Sequence, residues 1–260
     1  MIGKHLRTSG RVIGIAWVIT TAALDYCFNV WCRGKSSDLT ARASWMCRQS
    51  RRFLAALNIQ VQRRGGLPPG GMLVTNHLGY VDIIVLGAAQ PMVFLSKSEV
   101  RNWPVFGPLT ACAGTLFIRR DRRSDVARFD EEFAAVVNQG LLLGIFPEGT
   151  SSDGHQVLPF HSSLFAPAAA AGWTVSPAWI AYAVPQGTAE TDVCYWGDMT
   201  FFPHFLRLLT LEKITATVVY GSPAPGGLDR KQMARLLHTQ VCELAAKRRS
   251  PIDCRHKCQP

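Results

Sequence analysis

Residues 76–82, NHLGYVD, hold the two side chains best placed for proton chemistry. His77 offers an imidazole that exchanges a proton near neutral pH. Asp82, five positions on, can fold back to accept the Nδ1 proton and fix the tautomer. That pair is the base and orienter of a triad, without a serine or cysteine nucleophile beside it. The apolar runs 72–74 and 83–86 on either side read as a strand entering a loop, then a helix beginning near Asp82. Such turns lie at the carboxyl edge of α/β sheets, where ligands bind. The same spacing also suits a loop histidine beside an aspartate N-cap.

Two other stretches end in a similar way. In GTLFIRR, residues 114–120, a short strand runs into Arg119-Arg120-Asp121-Arg122-Arg123. Guanidinium groups bind phosphate bidentately, although charge runs are also common on solvated surfaces. In IFPEGTSSDG, residues 145–154, an apolar strand of the kind covered on both faces feeds Pro147, Glu148, Gly149 and Thr150. Gly149 lets the backbone approach a ligand closely. Glu148 can pair with an arginine or hold acceptor hydroxyls; a plain strand-end glutamate is the other reading.

Taken in this order, the three motifs resemble the 1-acylglycerol-3-phosphate acyltransferase family, the phospholipid/glycerol acyltransferases, across residues 58–222. The resemblance implies fatty acyl transfer from a thioester carrier, acyl-CoA or acyl carrier protein, to the free hydroxyl of 1-acylglycerol-3-phosphate in phospholipid biosynthesis. It makes His77 and Asp82 catalytic. It places Asn76, Gly114, Phe117, Arg119, Arg120, Glu148, Gly149 and Thr150 around the substrate, with Arg120 matching the phosphate-binding arginine. Arg119 stands where Asp or Lys is more frequent. No cofactor or metal is implied; the acyl carrier is a co-substrate. Val175-Ser176-Pro177-Ala178 matches a fourth motif of the family.

Some positions depart from the commonest pattern. Ser151 follows Thr150 where arginine is usual, and His161 stands where lysine is frequent. With YWGDMTFFPHF, residues 195–205, they make the chain similar to the lyso-ornithine lipid branch, whose acceptor lacks a glycerol phosphate. The same reaction on lyso-ornithine lipid is therefore the alternative. In either case His77 would take the acceptor hydroxyl proton, and backbone amides near Gly149 or in the His77 loop would hold the oxyanion. A lipid hydrolase is the rival enzyme, but no G-x-S-x-G elbow is present. A non-catalytic membrane-binding protein is the rival without chemistry.

Composition narrows the partners. Twenty-eight Lys+Arg against 18 Asp+Glu leave a formal charge of +10, in a chain that is 48% hydrophobic. That suits nucleic acid or an anionic membrane. No RNP, zinc-finger or helix-turn-helix pattern is visible, so the membrane is expected and nucleic acid is not. Eight scattered cysteines without C-x-x-C read as reduced and packed, and the CRHKC tail as basic rather than metal-binding.

The elements that must position these residues form an α/β fold. We expect a mixed, mostly parallel central sheet flanked by helices, with an N-terminal membrane-associated helical hairpin. Residues 1–57 are the hairpin, 58–249 the α/β acyltransferase domain and 250–260 a flexible basic tail. Strands are expected at 58–64, 72–75, 92–96, 115–118, 141–146, 173–182 and 215–220, and helices at 124–139, 162–171 and 229–249. Lys4, Arg7 and Arg11 precede an apolar run at 12–24, which Asp25 interrupts. That run is shorter than the about 20 residues a bilayer span needs. A helix embedded in one leaflet of the inner (cytoplasmic) membrane, with the active site on the cytoplasmic side, is preferred over a signal peptide. The second helix, ending at Leu57, has Arg42, Arg48, Arg51, Arg52 and an interfacial Trp45 to lie on an anionic surface; packing on the core is equally open. The family resemblance implies that residues 103–108 lie near the acyl chain, so a hydrophobic lip is expected there, with core packing as the alternative.

Overall fold

The structure is a computed structural model that describes residues 2–118 and 125–249, with side chains from 7–118 and 130–247. Arg119 and Arg120, Ser124 at the start of the helix expected at 124–139, and the basic tail lie outside the described residues.

Among the described residues seven strands form one sheet, ordered β1-β7-β6-β2-β5-β3-β4. They are β1 (Ile59–Arg64), β2 (Gly71–Thr75), β3 (Met92–Lys97), β4 (Leu116–Ile118), β5 (Leu142–Ile145), β6 (Val175–Ala183) and β7 (Ile214–Tyr220). All neighbouring pairs are parallel except β6 with β7. The expected mixed, mostly parallel sheet is therefore present. Every residue of β5 is buried, as a strand covered on both faces requires. The main helices are α1 (Ile2–Tyr26), α2 (Leu39–Leu57), α3 (Val81–Gly87), α4 (Phe106–Cys112), α5 (Asp125–Asn138), α6 (Ala166–Ala171), α7 (Ala189–Asp192), α8 (Phe201–Thr210) and α9 (Arg230–Arg249). One core layer holds Leu73, Val81, Leu86 and Ile180, and the other Met72, Val74, Phe133 and Leu237.

Parallel order explains why the motifs converge. β2, β5, β3 and β4 run in one direction, so the segments after them emerge at one edge. The His77 loop follows β2 and the Glu148 turn follows β5, its immediate neighbour. β6 extends past its last β2 pair, Thr75 with Ala178, to Ala183. The overhang stands beside the His77 loop.

The N-terminal hairpin differs from expectation in two respects. α1 does not stop at Asp25 but continues through a π-helical turn, Cys27–Trp31. Asp25 is absorbed by Gln49 at 2.6 Å, Asn29 at 2.7 Å and Arg48 at 3.2 Å. As a result Arg7–Trp31 is long and apolar enough to cross a membrane, by length and composition, and most of it is not buried inside the fold. Trp45 is not interfacial. It is 1% exposed and donates its indole N–H to the Ala22 carbonyl at 3.1 Å. The α2 arginines are also partly consumed within the fold: Arg42 donates to the Ala111 and Cys112 carbonyls and Arg51 to Ala88. α2 is a packed helix, capped by Asp38 accepting from Ala41 and closed by Asn58 in the left-handed region.

Candidate active site

Four donors converge on Asp82, which is fully buried. Leu78 and Gly79 donate backbone N–H groups to Oδ2 at 2.6 and 3.0 Å. His77 Nδ1 lies 2.8 Å from the same oxygen, and Tyr182 O–H donates to Oδ1 at 2.6 Å. A carboxylate is the group that can accept from all of them. This assigns the proton to His77 Nδ1 and leaves the Nε2 lone pair for chemistry. The α3 start accounts for the arrangement: residues 78 and 79 turn their amides back onto the first-turn aspartate.

His77 is held on its other sides as well. Its ring stacks on Phe146, with centroids 4.0 Å apart and planes at 22°. Its carbonyl accepts from Ser152 N–H at 2.9 Å, which ties the His77 loop to the turn after β5. The imidazole lines a pocket of about 190 Å³ with Tyr80, Phe146, Gly149, Thr150 and Tyr195. Burial and the Asp82 charge keep the Tyr182 hydroxyl protonated, with its titration pushed well above that of a free tyrosine.

Gly149 and Thr150 are thus placed in the pocket as expected, but several other expected contacts are not. Asn76 is 3% exposed, and its amide is spent on the β6 overhang. It donates to the Ile180 carbonyl at 2.9 Å and accepts from the Ile180 N–H at 2.8 Å. These bonds tie the His77 loop to β6. Gly114, at φ +82, packs against α2, where an added Cβ would lie 3.4 Å from Leu39. Phe117 points off the pocket, with the Arg101 guanidinium over its ring, whereas its neighbour Ile118 does line the pocket.

Glu148 is also withdrawn, at 3% exposure, and pairs with no arginine among the described residues. Oε1 accepts from Leu158 N–H at 3.2 Å, while Oε2 is buried without a hydrogen-bond partner among the described residues. Burial pushes its carboxyl up to about 8, against the opposing pull of the Leu158 and His77 amides, and the Asp82 charge adds to the rise. The amides expected to form an oxyanion hole are partly used: Gly149 donates to the Phe146 carbonyl, and Leu78 and Gly79 to Asp82.

Sequence reasoning missed Tyr182. It stands 100 residues from Asp82, and only the β6–β2 pairing brings them together. It also missed a link over the loop after Ser152, where His155 Nε2 lies 3.1 Å from Glu190 on α7. No hydroxyl among the described residues hydrogen-bonds His77 Nε2. The Cys194 thiol, next to pocket residue Tyr195, is buried and pushed up to about 12. Among the described residues, neither a serine nor a cysteine nucleophile is assembled beside His77.

Comparison with known proteins places this constellation. Residues 58–181 match the family model described as Acyltransferase. The lyso-ornithine lipid O-acyltransferase of Pseudomonas aeruginosa is 40% identical over 71% of this chain and 71% of its own. The chain belongs to the acyltransferase family. The 1-acyl-sn-glycerol-3-phosphate acyltransferase of Neisseria meningitidis is 33% identical, over 65% of this chain and 67% of its own. Among solved structures, the 1-acyl-sn-glycerophosphate acyltransferase PlsC of Thermotoga maritima superposes with a TM-score of 0.61 over 96% of this chain and 98% of that one. At 17% identity it speaks for the fold. In this acyltransferase His77, Asp82 and the pocket lie together at the carboxyl edge of one sheet.

Proposed function

We propose that this acyltransferase moves a fatty acyl group from a thioester to the hydroxyl of a lysolipid, with His77 as general base. The observation that carries the reading is the Nδ1 contact with Asp82 at 2.8 Å, beside a pocket that His77 lines. The acceptor oxygen attacks the thioester carbonyl as Nε2 takes its proton, and Asp82 stabilises the imidazolium. The tetrahedral intermediate then collapses, the C–S bond breaks, and the proton passes to the leaving thiolate. No acyl-enzyme is required. Amides of Thr150 and Ser151, at the pocket wall, are the candidates to hold the oxyanion.

Two acceptors compete. 1-Acylglycerol-3-phosphate needs a phosphate anchor, the role proposed for Arg120. Lyso-ornithine lipid is favoured by identity, since relatives of that name reach 40% against 33% for those named for the glycerol phosphate. Either acyl-CoA or acyl carrier protein would serve as donor. The apolar Arg7–Trp31 helix supports work at a membrane, for which we propose the cytoplasmic face of the inner membrane. The test is turnover with both acceptors and both donors, for wild type and His77→Ala. Loss of about two to four orders of magnitude in the variant is expected. A wild-type rate in His77→Ala would remove His77 as the base, and unchanged use of 1-acylglycerol-3-phosphate by Arg120→Ala would remove the phosphate role.

A further inference from the structure

One wall of the pocket is a layer of aromatic rings that leads away from His77 to the surface. Tyr80 and Tyr195 line the pocket with centroids 5.6 Å apart, and Tyr80 lies 5.1 Å from Phe201 at the start of α8. Trp103, also in the lining, is 5.2 Å from Phe201. Phe106 continues the layer, 5.2 Å from Phe201 and 5.9 Å from Phe205. The path therefore runs from the reacting centre to α8 and to the turn before α4.

The far side of that layer is apolar and open. Phe202 is 66% exposed, Val105 48% and Leu206 39%. Phe202 and Leu206 are four apart on α8 and share one face, while Leu208 and Leu209 are buried. Val105 is held outward by a γ-turn at φ +65 and ψ −53, closed by Phe106 N–H donating to the Pro104 carbonyl at 2.7 Å. A β-branched residue adopts positive φ only at a conformational cost. The backbone is strained here to present a valine to the surroundings. α8 is also fastened to α1, the long apolar helix: Arg11 donates to the Leu209 and Glu212 carbonyls at 3.1 and 2.8 Å and to that of Leu211. α1 exposes Ile13, Trp17 and Leu24, and the π-helical turn after it Phe28. The apolar surface on α8 is thus bonded to the segment already long enough for a bilayer.

We infer that α8 and the 103–106 turn form a lip that enters the lipid surface. Phe202, Leu206 and Val105 lie among the acyl chains at the interface, and an acceptor lipid passes from the bilayer to the pocket along the aromatic layer without crossing water. Exposed apolar patches of this kind mark interaction sites, and a bilayer takes up apolar side chains without a shaped partner. The inference rests on the proposed lysolipid reading for what travels; contact with lipid is measured separately.

The test uses the full chain carrying F202S/L206S, with vesicles of phosphatidylethanolamine and phosphatidylglycerol. One arm supplies a long-chain lysolipid in the vesicles. The other supplies a short-chain acceptor dissolved below its aggregation concentration. The expected result is a fall of about ten-fold or more in kcat/KM from vesicles, as loss of two inserted side chains implies, with dissolved-acceptor turnover kept within about two-fold. Hydrogen exchange of residues 201–206 in the wild-type chain should slow when vesicles are added. Undiminished vesicle turnover in the variant, equal losses in both arms, or exchange unaffected by vesicles would each overturn the lip. If wild type acylates neither acceptor, the lysolipid reading fails, and the exchange measurement still decides the lip.

Discussion

In the proposed mechanism the chemistry turns on Asp82, because its surroundings demand an acceptor at both oxygens. Asp82→Asn would aim an amide N–H₂ at groups that are themselves donors, so the imidazole would lose its tautomer. We expect kcat to drop by about 10⁴-fold, as for the corresponding change in serine proteases; a loss below about ten-fold would mean that the orienting role is minor. Tyr182→Phe isolates the other oxygen. It leaves Oδ1 buried without its donor, at a cost of about 1–3 kcal/mol in stability, and should lower kcat about ten-fold while KM holds. An unchanged kcat would show that the tyrosine merely fills space. Glu148 gives a prediction in pH. Its carboxyl is raised to about 8 in the fold against about 4.3 when unfolded, so the native state carries the extra proton between those values. Stability from this group is then greatest below the unfolded value and is lost as pH rises through about 8. Glu148→Gln mimics the protonated form and should gain on wild type by a few kcal/mol, on the order of the shift, between pH 5 and 9. Parallel denaturation curves at the two pH values for both proteins would refute it. His77 and Asp82 were legible in the sequence because both partners lie in one loop. The inward orientation of Asn76 and Glu148 was not legible, because a motif position says which loop a side chain belongs to, not which way it points.

At the level of elements, hydrophobic pattern located the strands well, since buried parallel strands such as β5 are continuous apolar runs between turn residues. It failed where one element's neighbours decide its surface. α2 was open to two readings, surface-lying or packed on the core, because its arginines and Trp45 are amphipathic in isolation; in the fold, carbonyls of α1 and of the segments around α3 and α4 take up several of them. α1 looked too short because Asp25 is charged in sequence, whereas α2 supplies the partners that let the helix continue. The joint between α1 and α8 is testable at Arg11, which is 8% exposed and bonded to carbonyls at the α8 end. Arg11→Ala leaves those carbonyls without their donor, and we expect about 2 kcal/mol of destabilisation in detergent. Arg11→Lys, a point charge without the planar fork, should recover only part of it. Equal stability of wild type and Arg11→Ala would mean that α1 is not fastened there.

Over the whole molecule, two attractions for a membrane are present, and they respond differently to salt. The formal charge of +10 favours anionic lipid and is screened over a Debye length of about 10 Å at 0.1 M salt. The apolar surface of α1, with Ile13 70% and Trp17 68% exposed, is indifferent to ionic strength. Binding to anionic vesicles should therefore weaken as salt rises from about 0.05 M to about 0.5 M, then level off rather than vanish. Binding to vesicles of neutral lipid should be weaker at low salt and nearly independent of it. Cosedimentation across that range separates the two contributions. Complete release at high salt would reduce membrane association to charge alone and leave the exposed face of α1 without a role. A flat profile on both vesicle types would instead mean that the positive charge serves the anionic thioester carrier or acceptor headgroup, and in that case salt should raise KM for the donor while leaving vesicle binding untouched.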